Sequence, residues 1–134
     1  MSTPNTFPNR LQHHLHLAVP TVQVRCAAGT EELTAPYVVL FTSAEQELIP
    51  RNHTWELSVG VELHANAHDT PEQEQQALFR SICETMAAPK FTDTLNEEAT
   101  DFYLYSLRLQ VVDDPQVQEK EHLQTARFRA VIQY

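Results

Sequence analysis

Phe7, Leu11, Leu15 and Ala18 recur at helical spacing until Pro20 ends the pattern, which predicts one short amphipathic helix after a loose leader at residues 1–6. Val22, Val24 and Cys26 then alternate with Gln23 and Arg25, and the run Tyr37-Val38-Val39-Leu40-Phe41 follows a turn-rich gap around Gly29 and Pro36. Both segments read as strands. Residues 42–52, with Glu45, Glu47, Pro50 and Arg51, read as a polar connection whose Leu48-Ile49 packs back on the domain. The clearest alternation runs from His53 to Ala65: Trp55, Leu57, Val59, Val61, Leu63 and Ala65 on one side, Thr54, Glu56, Ser58, Glu62 and His64 on the other. At about 3.3 Å per residue it would span roughly 40 Å. Such length implies either an overhang beyond its neighbours or a bend or bulge at Gly60 with both halves paired inside one subunit.

Thr70, Pro71 and Gln73 form a helix-start signal, a capping box with proline in the first turn, and Leu78, Phe79, Ile82, Cys83 and Met86 follow as an apolar stripe up to Pro89. Glu72 and Glu74 suit the positive end of that helix's dipole. Residues 90–101 read as a polar connection anchored by Phe91 and Leu95. Tyr103, Tyr105, Leu107, Leu109 and Val111 then alternate against Ser106, Arg108 and Gln110, and Ala126, Phe128, Ala130, Ile132 and Tyr134 alternate against Arg127 and Arg129. The 14-residue stretch between these strands is too short for a crossover helix, so an antiparallel pair is expected. The order gives an α+β fold: a mixed, mainly antiparallel sheet packed against one principal helix, with a short N-terminal helix, in a single domain spanning 1–134.

Charge narrows the partners. Nine Lys and Arg against eighteen Asp and Glu leave a formal −9, which opposes non-specific binding to a polyanion. Arg127 and Arg129 share a face, with Arg108 the expected neighbour across the hairpin, and Glu56 and Glu62 are the carboxylates expected to pair with this strip. No specific nucleic-acid binding is expected. The start of the chain has neither the basic segment nor the apolar run of a signal peptide, and no stretch suits a membrane span, so synthesis and retention in the cytosol are expected.

Candidate chemistry is sparse. Cys26 and Cys83 form no CxxC pair and read as reduced, buried thiols, Cys83 on the helix's packing stripe. His13, His14 and His16 lack the HExxH arrangement and read as a solvated helical face. His64, His68 and Asp69 offer three donors at a strand-to-helix junction, but no fourth ligand is assignable, and capping or loop hydrogen bonding is the favoured role. Glu97-Glu98 and Asp113-Asp114 read as solvated loop carboxylates. Gly29 and Gly60, the only glycines, supply no phosphate loop, and no GxSxG occurs. No catalytic residue, cofactor or metal is assigned.

The run VGVELHANAHDTPEQEQQALFRSICETM, followed by DFYLYSLRLQ and the terminal RFRAVIQY, resembles the small tail terminator, tail-completion or neck proteins of tailed bacteriophages, which implies a prophage gene. The resemblance covers mainly residues 53–134. It implies a non-enzymatic virion morphogenesis protein, a homohexameric ring that closes the tail tube and meets the tail-tube protein and head–tail connector proteins. It also implies a place in the host cytoplasm during assembly and in the virion tail or neck afterwards. Trp55, Glu56, Glu62, Arg108, Arg127 and Arg129 are the candidate interface residues: an aromatic anchor and a charged set that fixes register. The rival readings are a cellular ligand- or protein-binding α+β adaptor and a small metal-dependent hydrolase. The first needs a deep closed cavity, the second a convergence of His64 or His68 with Asp69 and a distant carboxylate.

Overall fold

The alternation that begins at residue 54 becomes the middle of a six-stranded sheet. In the computed structural model, which describes residues 6–27, 29, 32–66, 71–118 and 121–134, the strands are β1 (Gln23–Cys26), β2 (Tyr37–Ile49), β3 (Thr54–Asn66), β4 (Tyr103–Val112), β5 (Gln116–Gln118) and β6 (Glu121–Gln133). Their spatial order is β1-β2-β3-β6-β4, with β5 also on β6. Among the described residues β1 and β2 run parallel and the other pairs are antiparallel, the mainly antiparallel sheet that the pattern predicts.

Three helices, α1 (Thr6–Ala18), α2 (Glu72–Ala87) and α3 (Pro89–Glu98), cover one face of this sheet. Phe7, Leu11 and Leu15 of α1 and Phe79, Ile82 and Met86 of α2 meet Leu57, Val59, Val61 and Leu63 of β3 and Phe128, Ala130 and Ile132 of β6. Each large side chain buried this way contributes about 1.5–3 kcal/mol relative to exposure. The Phe7 ring stands edge-on to Phe102 at 5.3 Å, joining α1 to the entry of β4.

Several expectations need correction. The polar connection at 42–52 is mostly strand: β2 continues to Ile49, then Pro50–Asn52 makes one 3-10 turn. Its outer half buries little, so no apolar alternation marks it; backbone pairing with β3 holds it, through irregularities at Ala44/Gln46 and Glu47/Ile49. His53 closes the turn with φ 53°, the left-handed region, and its carbonyl accepts from the Tyr134 N–H at 3.1 Å. Gly60 marks neither a bend nor a bulge. Strand β3 pairs with β6 at every residue from Thr54 to Asn66 and with β2 from Thr54 to His64, so its length creates no overhang.

The connection at 90–101 is largely helix α3, whose Phe91 and Leu95 are buried one turn apart. Pro89 ends α2 and also opens α3, a first-turn position where proline loses no hydrogen bond. Of the expected capping box at α2, Thr70 lies outside the described residues; Pro71 directly precedes the helix and its carbonyl accepts from the Gln75 N–H at 3.1 Å. The leader at residues 1–5 lies outside them too. In β4 the alternation changes phase, because a register shift between Leu104 and Ser106 puts Leu104 and Leu107 in the core and leaves Tyr103 and Tyr105 about half exposed. Strand β6 begins at Glu121, earlier than its apolar alternation suggests.

Asn96 ties α3 to β4. Its Oδ1 accepts from the Leu104 N–H at 2.7 Å and its Nδ2 donates to the Leu104 carbonyl at 2.8 Å, so one side-chain amide takes the place of a strand neighbour. Asn96→Ala leaves both partly buried backbone groups of Leu104 without this partner and is expected to cost about 1–3 kcal/mol, measured by urea unfolding with an unchanged m-value.

Candidate interface on the open face and edges of the sheet

Period-two geometry sorts the candidate residues. With the odd-numbered residues of β3 and the even-numbered residues of β6 turned toward the helices, Glu56, Glu62, Arg127 and Arg129 project from the opposite, open face. Arg108 of β4 sits directly opposite Arg129 and joins them. Trp55 does not. It packs half-buried against the core on the helix side, stacks on Tyr134 at 6.4 Å, and keeps its indole N–H buried without a hydrogen-bond partner among the described residues.

The charges on the open face are unevenly matched. Arg129 donates to Glu56 at 2.9 Å across β3 and β6. Glu62 lies 3.2 Å from Nε2 of His64, whose Nδ1 meets Glu121, and the His64 ring stacks on Tyr37 at 4.7 Å. Burial pushes the Tyr37 hydroxyl up in pKa, Glu121 and Glu62 add to the shift, and Arg25 opposes it. Arg108 and Arg127 are exposed and form no ion pair among the described residues. Gly60, between Phe41 on β2 and Arg127 on β6, leaves a dip in the middle of this face, where an added Cβ would lie 3.4 Å from the Cβ of Phe41.

Two margins of the sheet are open. Strand β4 is the last strand on one side, and it exposes Tyr103, Tyr105, Leu109, Val111 and Val112. On the other side β1 covers β2 only from Tyr37 to Leu40, so among the described residues no strand lies beyond 41–49, and Phe41 and Ile49 are exposed there. Sequence reasoning missed both margins, since a strand's place in the order is set by tertiary pairing. The apolar density of β4 was visible, and Tyr103 and Tyr105 read as either sheet core or interface anchors; their exposure excludes the first.

The remaining candidates are placed in structural roles. His14 is buried, contrary to a solvated face: its Nε2 is 3.0 Å from Glu98, which also accepts from Arg10 at 3.2 Å, so the three bind α1 to α3. His16 Nδ1 is 2.9 Å from the Val22 carbonyl, and His13 stands edge-on to His14. Asp113 accepts from Thr125 at 2.7 Å. Of the three-donor set at the strand-to-helix junction, His64 is held by Glu62 and Glu121, while His68 and Asp69 lie outside the described residues. Among the described residues no three His, Cys, Asp or Glu side chains are grouped to hold a metal ion. Among them, too, no helix is long and apolar enough to cross a membrane. An open groove of about 450 Å³ lies where Leu17 and Ala18 of α1 face Thr85, Phe91 and Thr94.

Cys26 is half-buried, with its thiol donating toward the Pro8 carbonyl and Gln12 Oε1, and Cys83 is buried in the core. Burial, with a smaller contribution from Glu84, pushes the Cys83 thiol up from 9.0 to about 11. Its thiolate fraction near neutral pH is thus about 100-fold below that of the unfolded chain, and alkylation by iodoacetamide at about pH 8, followed by peptide mapping, is expected to slow by that order in the folded protein. The linkage has one sign: above 9.0 the unfolded thiol ionises while the folded one keeps its proton, so this group's contribution to stability declines as pH rises toward about 11.

No protein-family model matches the chain, and no curated protein matches it. Solved structures do. A chain from a structure described as "Virion of native gene transfer agent (GTA) particle" superposes with a TM-score of 0.72 at 12% identity, over 96% of this chain and 95% of that one. A second solved chain matches with a TM-score of 0.54 at 10% identity, over 96% of this chain and 92% of its own length. At these identities the likeness is one of fold, and it extends over nearly the whole length of both partners, including residues 6–52, where the sequence resemblance was weakest.

Proposed function

We propose that this protein is a structural component of a phage-like particle, a subunit of a ring that closes the tail tube or joins it to the head, and not an enzyme. The observation that carries this reading is the near full-length likeness to a chain of a gene transfer agent virion. The sequence resemblance to tail terminators and neck proteins points the same way. So does the distribution of chemistry: the histidines and carboxylates described above hold elements together, whereas the exposed apolar side chains gather at the margins of the sheet. Margins of that kind suit association rather than bond chemistry.

A cyclic assembly requires two different, mutually complementary surfaces on each subunit, and the sheet has two different open margins. In the proposed ring, tail-tube and head–tail connector proteins are the partners, assembly takes place in the host cytoplasm, and the finished ring stays in the tail or neck. The acidic balance of the chain keeps DNA in a central passage from adhering to the wall.

Deletion of the gene is expected to abolish normal particles without loss of capsid or tube proteins, as seen by electron microscopy of the lysate. Abnormally long tails identify a terminator, and normal-length tails detached from heads identify a neck-joining role. Normal particles in the deletion strain, together with absence of the protein from purified wild-type particles, would remove the reading.

A further inference from the structure

We infer that the β4 margin of one copy docks against the open half of β2 in a second copy, with Arg108 of the first meeting Glu45 of the second. This inference rests on the proposed role as a ring subunit and names the contact that would build the ring.

Free edges in monomeric proteins are normally blunted by lysines, prolines or very short strands. Here β4 is ten residues long, carries one charge, Arg108, and exposes five large apolar side chains along its length. Among the described residues, the other exposed large apolar side chains on marginal strands are Val117 on β5, which pairs with β6 on the same flank as β4, and Phe41 and Ile49, both on the half of β2 that β1 leaves uncovered. A head-to-tail contact covers both sets at once, whereas a two-fold contact of like margins would need two separate interfaces to do so.

Charge selects the same match. Arg108 faces Arg129 across the ladder, a like-charge pairing that disfavours leaving it alone, and Arg129 is already engaged by Glu56. Glu45 is exposed on the β2 margin with no cation within ion-pair distance among the described residues; its carboxylate accepts only from Ser43, at 3.3 Å. The tracing of pairs across the sheet puts Ser43, Ser58, Arg129 and Arg108 in one row, and Glu45, the extra residue of the bulge between Ala44 and Gln46, lies between the rows of Leu107 and Ser106, roughly 5 Å along the strands from Arg108, a distance two long charged side chains span. Rotation of one copy relative to the next, with little translation, brings them together, and that is the operation that closes a ring. Each margin carries two register shifts, and Asn96 already occupies the backbone of Leu104, so the contact is one of side chains flanking the margins rather than a lengthened ladder.

The test uses purified full-length protein. Sedimentation equilibrium is expected to show self-association weakened by about tenfold or more in Arg108→Glu and in Glu45→Arg, and recovered when both changes are combined in one chain. Circular dichroism confirms that each variant is folded. Independently, an Arg108→Lys chain mixed from isotopically light and heavy copies and treated with a zero-length carbodiimide is expected to give links between copies from position 108 to Glu45. Absence of recovery in the combined variant, or links from position 108 to other carboxylates, overturns the contact. A wild type that stays monomeric overturns it as well, and leaves the role in the particle to be decided by the deletion strain alone. Self-association through this contact with normal particles in the deletion strain would instead keep the contact and remove the role.

Discussion

The pairing of β3 with β6 is the constraint on which everything else depends. Thirteen residues of each strand face one another without a register shift, and the apolar residues of Leu57–Ala65 and of Ala126–Ile132 recur at every second position toward the core. A slip of one residue would turn Glu56, Glu62, Arg127 and Arg129 toward the helices and Leu57, Val59, Phe128 and Ala130 toward water. Burying unpaired charges costs several kcal/mol each, so the register is not negotiable. One alternation thus sets both the core and the charged open face.

The helices complete that arrangement on one side only. Helix α1 is fastened to α3 through His14, Arg10 and Glu98, and α3 to β4 through Asn96, so side chains that resemble catalytic material in one dimension serve as fasteners in three. Cys83 shows the same absorption: its place in the core, not its nucleophilicity, explains its neighbours, and burial keeps it protonated. What is left uncovered is the polar open face and the two margins, beyond which no further strand lies among the described residues. An edge strand rich in exposed apolar groups is a liability in an isolated molecule and an asset in an assembly.

Strong local periodicity made α1, β3, α2 and β6 legible from residues alone, because each buries one face against a single core and so records its own geometry in apolar spacing. The α+β class and the antiparallel final pair followed from those elements and the lengths between them. The outer half of β2 and helix α3 did not read as structure. The former is a polar strand that exists because β3 offers it a ladder, and the latter has only Phe91 and Leu95 as a buried stripe, too few to separate a short helix from an anchored loop.

The charged set was visible as a set, since residues two apart on a strand share a face. The strand order was not, and with it went the knowledge of which strands end the sheet. Alternation reports which side of a strand is buried but carries no mark of what lies beside it; backbone hydrogen bonds are the same for every residue type. The sequence by itself therefore determined the faces, and only the tertiary structure decided the margins. Tyr103, Tyr105 and Leu109 are coded like core residues, and it took the bulges of β4 and its terminal place in the order to leave them outside.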